Sequence, residues 1–134
     1  MGGTAPSEPP HRGGRRSLRL ELRRAGPVGV VVASGVLDIH TIALLEREVL
    51  ELLSAGTVQI VVDLAGIRIC DAAAMGGLLR AYRAATALGG SLRLAGPGPL
   101  VAESFSIVGF GGDVPVYRGV TAALERDESR RLKP

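Results

Sequence analysis

The segment VQIVVDLAG, Val58 to Gly66, constrains the fold more than any other part of the chain. Its stretch from Val58 to Val62 is almost continuously apolar and ends in Asp63. A strand with one wet face alternates apolar and polar residues. A strand apolar on both faces needs cover on both, as parallel strands between helices have. The neighbouring sequence supplies that cover. Upstream, Ile42, Leu45, Val49, Leu52 and Leu53 recur at helical spacing, with Glu46, Arg47, Glu48 and Glu51 on the other face. Thr41 is expected to cap this helix, its hydroxyl accepting from an orphan backbone N–H, and Gly56 to end it. Downstream, Asp71 is expected to cap a second helix over Ala72 to Leu88, which Gly89-Gly90 stops.

The other segments extend the alternation. Leu18, Leu20 and Leu22 alternate with Arg19, Glu21 and Arg23, the period of a half-buried strand. Ala25-Gly26-Pro27 makes a turn, and Val28 to Ala33 a second strand paired with the first as a hairpin. Leu92 and Leu94 mark a further strand. Pro97-Gly98-Pro99 turns the chain, with Pro99 suited to the first turn of a third helix holding Val101, Phe105 and Val108. Val114 to Tyr117 reads as a last short strand and Val120 to Glu125 as a final helix. The order β-β-α-β-α-β-α-β-α predicts an α/β fold, a mixed and mostly parallel sheet flanked by helices and joined by right-handed crossovers. Residues 1–16 (MGGTAPSEPPHRGGRR) form a basic Gly/Pro/Arg-rich tail expected to be disordered. Residues 17–126 form the domain, and residues 127–134 are expected to fray.

Composition narrows the function. A chain of 134 residues suits one domain with a single core. Only 3% of it is aromatic, so the core is aliphatic and offers no stacking platform for single-stranded nucleic acid. The net charge of +3 is a property of one end: residues 1–24 hold six arginines against two glutamates. A nucleic-acid surface needs a basic face on the folded part, and none is visible, so direct nucleic-acid binding is not expected. No apolar run of about 18 residues exists, so membrane insertion is not expected. The N-terminus lacks the apolar segment of a secretory signal. The single cysteine, Cys70, excludes an intrachain disulfide and a cysteine-cluster zinc site, and fits a reducing, cytoplasmic location.

Catalytic chemistry finds little support. His40 has no partner at ligand spacing, so no metal is expected. The chain has no G-x-S-x-G elbow, and GPGP (Gly96 to Pro99) and GFGG (Gly109 to Gly112) lack the P-loop lysine and the dinucleotide spacing. Asp63 ends a strand and Asp71 caps a helix, which accounts for both without a catalytic pair. Cys70 beside a helix N-terminus would favour its thiolate, whereas a lone cysteine on an apolar strand reads as buried and inert. The expectation is a binding protein, not an enzyme, with no cofactor. Gly76 and Gly77 cost a helix about 1 kcal/mol each relative to Ala. Close helix–sheet packing explains them, and so does a partner approaching the backbone.

Three segments then carry a family resemblance. They are GVLDIHT (Gly35 to Thr41), VVDLAGIRICDAAAMGGLL (Val61 to Leu79) and GGSLRLAGPGPLVAESFSIVGF (Gly89 to Phe110). In this order and spacing the chain resembles the STAS domain of bacterial anti-sigma factor antagonists, from about Leu18 to Glu125. The first segment is similar to the family's G-E-L-D, with Val36 in place of the Glu. The second is similar to D-L-S-G-V followed by D-S-S-G-L-G. The resemblance implies binding to an anti-sigma factor, often a serine kinase of the histidine-kinase-like ATPase type. It also implies a serine after the central Asp whose phosphorylation cancels binding. By position Asp71 matches the motif Asp, Ala72 the first Ser, Ala73 the second Ser (the usual phosphoacceptor), Ala74 the Gly, Met75 the Leu and Gly76 the next Gly.

The acceptor position therefore lacks a hydroxyl. A phosphate there would put about −1.5 to −2 charges at a helix N-terminus; Ala73 holds the position neutral. Thr41, at the end of the first family segment, offers an alternative hydroxyl, but capping already accounts for it and phosphorylation there is not expected. The residues expected to contact a partner are Asp38, Asp71, Ala72, Ala73, Ala74 and Met75. The reading is an antagonist that regulates sigma-factor-dependent transcription without the usual switch. The alternative is a non-phosphorylatable STAS scaffold or accessory subunit that binds another STAS protein or a transporter component.

Overall fold

The computed structural model describes residues 17–133. The basic tail at residues 1–16 and Pro134 lie outside the described residues. Strand β1 (Leu18–Ala25) pairs antiparallel with β2 (Val28–Leu37) around a turn at Gly26. Leu18 and Leu20 stand opposite Gly35 and Ala33 and pack on the core, while Arg19 between them faces water. From β2 onward the strands are parallel and lie in chain order: β3 (Gln59–Cys70), β4 (Ser91–Ala95) and β5 (Val116–Tyr117).

A sheet that advances strand by strand in one direction through right-handed crossovers collects its crossover helices on one face. Helices α1 (Ile42–Ser54), α2 (Ala72–Ala87) and α3 (Pro99–Val108) accordingly share one core. There Val31, Ala33, Ile60, Val62, Leu92 and Leu94 of the sheet meet Leu45, Val49, Leu78, Ala81, Val101 and Phe105 of the helices. Each fully buried Leu or Ile in this layer stabilises the fold by about 1.5–3 kcal/mol relative to exposure. The second face is narrower. Val30, Val61, Ala95 and Tyr117 pack there against Ala122 and Ala123 of α4 (Val120–Glu125). The two clusters explain why the central strand is apolar on both sides.

The element order agrees with the expectation, and four details differ. Strand β3 does not stop at Asp63. The Asp63 carboxylate only accepts a local hydrogen bond from Ala65 N at 3.0 Å, and the chain continues extended to Cys70. This second half pairs with β2 alone, across two register shifts, while β4 pairs no further than Asp63. One shift falls at Gly35, whose φ of 110° only glycine adopts readily. The last strand shrinks to Val116–Tyr117, because Val114 is buried from the loop after a 3-10 turn at Phe110–Gly112. Val108, expected on the inner face of α3, is exposed.

Residues 127–133 do not fray as expected. Glu128–Arg130 form a 3-10 turn, Arg131 bridges antiparallel to Tyr117, and Leu132 N donates to Val116 O at 2.7 Å. A two-residue edge strand leaves backbone groups to satisfy, and this segment satisfies some of them.

Candidate functional site

The extra length of β3 builds the site. Leu37 and Cys70, the last residues of β2 and β3, are register partners, and Asp71 N donates to Leu37 O at 3.1 Å. The two loops that follow, one leading into α1 and the other into α2, are thereby held side by side beyond the end of β4. Ser34 to Leu37 and Gly66 to Cys70 form the support. GVLDIHT and ICDAAAMGG, distant in sequence, thus meet at one end of the sheet.

In the first loop Asp38 is 4% exposed. Its Oδ1 accepts from His40 N at 2.8 Å and from Thr41 N at 3.1 Å. Thr41 Oγ1 accepts from Asp38 N at 3.0 Å and donates to Val36 O at 2.8 Å. The expected role of Thr41 is therefore corrected. Its hydroxyl faces back into the loop and makes no cap bond to α1, because a buried Asp38 N–H and Val36 carbonyl both need a partner. As a phosphoacceptor the hydroxyl is poorly presented, since Thr41 is buried.

In the second loop Asp71 caps α2 as expected, with Ala74 N donating to its carboxylate at 2.9 Å. The helix phase then divides the three alanines. Ala72 is exposed and Ala73 half-buried, while Ala74 and Met75 face the core. Ala74 and Met75, expected to meet a partner, are buried: with Leu78 they complete the inward stripe of α2. Asp38 is likewise a loop-shaping residue, with little surface of its own to offer. Instead Ile39, at 66% exposed, and His40 stand out from the first loop, and Ile69, at 52%, from the end of β3. Nothing in sequence periodicity singled them out. The available signal was an apolar residue next to a turn-forming Asp.

Cys70 behaves as the inert reading has it. It is buried, and desolvation followed by the neighbouring Asp71 charge pushes its thiol up to about 12. Gly76 and Gly77 have different reasons to be glycine. A Cβ at Gly77 would fall on Ile42 Cγ1 and come within 2.7 Å of Glu46 Oε2, so Gly77 lets α1 and α2 approach. The close packing is helix on helix, not helix on sheet. Arg80 clamps the same pair of helices, donating through Nε and Nη2 to Glu46 at 3.1 and 2.8 Å. A Cβ at Gly76 would meet only the end of Arg80, at 3.6 Å. Gly76 lies half-buried, one turn along from Ala72 and Ala73.

Among the described residues no three His, Cys, Asp or Glu side chains group to hold a metal ion, and no helix is long and apolar enough to cross a membrane. The arrangement offers a small, largely uncharged surface at a capped helix start. A family model described as "Mlab, STAS domain" matches residues 20–125. The chain belongs to the STAS domain family. No curated protein sequence matches this STAS chain.

Its fold is similar to several solved structures. One is a Thermotoga maritima protein classed as an anti-sigma factor antagonist: TM-score 0.74, 19% identity, covering 81% of this chain and 94% of that one. Another is SpoIIAA, an anti-sigma factor antagonist of Bacillus, in its unphosphorylated form: TM-score 0.67, 19% identity, covering 83% and 97%. A third is the murine Slc26a9 anion transporter: TM-score 0.64, 15% identity, covering 80% of this chain and 18% of the transporter. At these identities the likeness is one of fold.

Proposed function

We propose that this STAS domain is a cytoplasmic anti-sigma factor antagonist whose binding surface is held permanently in the unphosphorylated form. One observation carries the reading. The Leu37–Cys70 pairing sets the two loops together, and the position that matches the family's phosphoacceptor, Ala73, sits half-buried at the α2 N-terminus with no hydroxyl. A partner fitted to this small neutral surface would meet charge and bulk if a phosphate stood there. With Ala73 it meets neither, so control passes to the amount of the protein. The contact surface comprises Ile39, His40, Ala72, Ala73 and Gly76, with Asp38 and Asp71 setting the loops. The partner is an anti-sigma factor, a serine kinase of the histidine-kinase-like ATPase type.

Ala73→Glu tests the surface. A negative charge near a helix N-terminus is tolerated by the fold, so the variant keeps its melting temperature and loses partner binding in a pull-down against the anti-sigma kinases of the same genome. Unchanged capture would remove this loop from the interface. Failure of the native chain to capture any of them, with Ala73→Ser equally silent, would overturn the reading itself.

A second reading is an accessory STAS subunit that binds a transporter component or another STAS protein. The likeness to the corresponding part of Slc26a9 favours it, since a STAS fold is there part of a transporter chain. Native mass spectrometry of material from the source cells separates the two: a stable partner outside sigma regulation supports the second.

A further inference from the structure

The two edges of the sheet are finished differently. At β5 the chain closes its own edge, with Leu132 N donating to Val116 O and Arg131 bridging to Tyr117. At the other edge β1 pairs with β2 on one side and, among the described residues, with no strand on the other. This is much the longer edge, eight residues against two. Proteins blunt such edges with a bulge, a proline or a covering segment. Among the described residues β1 has none of these. Its register with β2 runs unbroken from Leu18–Gly35 to Ala25–Val28, and LRLELRRA holds no proline.

The ladder fixes which backbone groups face outward. Val36 N donates to Ser17 O at 3.4 Å, so Ser17 and Val36 are a hydrogen-bonded pair of the hairpin. Such pairs alternate with open ones along an antiparallel ladder. Arg19, Glu21, Arg23 and Ala25 therefore bond to β2, and the N–H and C=O groups of Leu20, Leu22 and Arg24 point away from it. The side chains sort by the same period. Leu18 and Leu20 pack on the core, and Leu22, on their face, is 41% exposed. Glu21 and Arg23 share the other face, paired to each other at 3.4 Å and both largely exposed.

We propose that β1 is a self-pairing edge: two copies of this chain join antiparallel through β1, about a two-fold axis at Leu22, into one continuous sheet. Charge selects the register, because opposite charges across an antiparallel pair stabilise it and like charges weaken it. An axis at Glu21 would set Glu21 against its own copy and Arg19 against Arg23. An axis at Arg23 would set Arg23 against itself. An axis at Leu20 would match Glu21 with Arg19, but would pair only Leu18 to Leu22 within the strand. The axis at Leu22 pairs Arg19 to Ala25 and sets Glu21 of each copy opposite Arg23 of the other. These two charged pairs fall at open positions of the new ladder, where side chains stand closest. Leu22 opposite Leu22, and Leu20 opposite Arg24, exchange the outward backbone hydrogen bonds. The contact is isologous, so the dimer closes and goes no further. It stands apart from the antagonist reading, since the loop into α2 follows β3, two strands from this edge.

Sedimentation equilibrium of the full chain over a concentration series is the test. The expected result is a monomer–dimer equilibrium. Glu21→Arg and Arg23→Glu each weaken it at least about tenfold, since each puts like charges together at two symmetric positions. The double variant carrying both changes restores it. Arg19→Glu, opposite Ala25, does not weaken it. All of these side chains are exposed, so the melting temperature of the monomer holds. Leu22→Pro removes an outward N–H, which an edge strand tolerates, and abolishes the dimer while circular dichroism shows the fold retained. A monomer up to about 1 mM, where even a weak association shows, would overturn the proposal. So would a dimer that Leu22→Pro leaves intact, a double variant that stays weakened, or weakening by Arg19→Glu in place of Arg23→Glu.

Discussion

The two loops at the C-terminal end of the sheet are built on one plan and finished differently. Each begins with an aspartate whose carboxylate accepts from the backbone N–H three residues on: Asp38 from Thr41 at 3.1 Å, Asp71 from Ala74 at 2.9 Å. In the first loop the third residue answers. Thr41 Oγ1 accepts from Asp38 N and ties down Val36 O, so the turn is closed on itself and buried. In the second loop the third residue is an alanine, which cannot answer, and Ala72 and Ala73 stay at the surface. The first loop is support. The second leaves a helix start open to a neighbour. A carboxylate at the same spacing therefore says little by itself, and what its partner returns decides which role it has.

The largest expected effect is at Asp38. Asp38→Ala strips the acceptor from two backbone N–H groups beside a buried threonine, and hydrogen bonds to a charged acceptor are worth about 1.5–3 kcal/mol. A loss of about 3 kcal/mol by urea denaturation is expected, near the top of that range. Next comes Gly77→Ala. Helix propensity alone would favour Ala by about 1 kcal/mol, but the new methyl overlaps Ile42 and crowds Glu46. Overpacking of this kind costs about 1–3 kcal/mol, and overlap with two side chains at once puts it at the top of that range, so after the propensity gain a net loss of up to about 2 kcal/mol is expected, with α1 and α2 pushed apart. Third is Asp71→Ala, which removes a half-exposed cap and costs about 1 kcal/mol. Equal losses at Asp38 and Asp71 would erase the distinction between a closed loop and an open one.

Much of this was legible in the sequence because it depends on local chemistry. The apolar run in β3, the helical stripes of α1 and α2 and the Asp71 cap each follow from residues within one turn or one strand. The extension of β3 to Cys70 was not legible. Gly66 and Arg68 look like loop residues, and only pairing with the end of β2 makes them strand. The C-terminal segment read as frayed because its few apolar residues have no period, yet Leu132 reaches Val116 across the short edge. At the site the motif positions were visible, but their directions were not. Ala72 and Ala73 face out while Ala74 and Met75 face in, a split set by the phase in which Asp71 starts the helix. Asp38 was visible as a motif residue, and its burial depends on Thr41 folding back, which no spacing rule contains.

Gly76 gives the smallest expected effect and the sharpest use of the comparison. A glycine inside a helix is less stable than alanine by about 0.5–1 kcal/mol, and that gain appears only where the methyl has room. At Gly77 it has none; at Gly76 it meets only the end of Arg80, at the ordinary contact distance of 3.6 Å. Gly76→Ala is therefore expected to raise stability by about 0.5–1 kcal/mol, seen as a higher melting temperature. Nothing within the fold then requires glycine at this position, although the helix would be better without it. If a partner comes close to the backbone of the open loop, the added methyl stands in its way, and Gly76→Ala weakens capture while strengthening the fold. Opposite signs in the two measurements would mark Gly76 as part of the contact surface. A gain in stability with capture unchanged would restrict that surface to Ala72, Ala73 and the first loop.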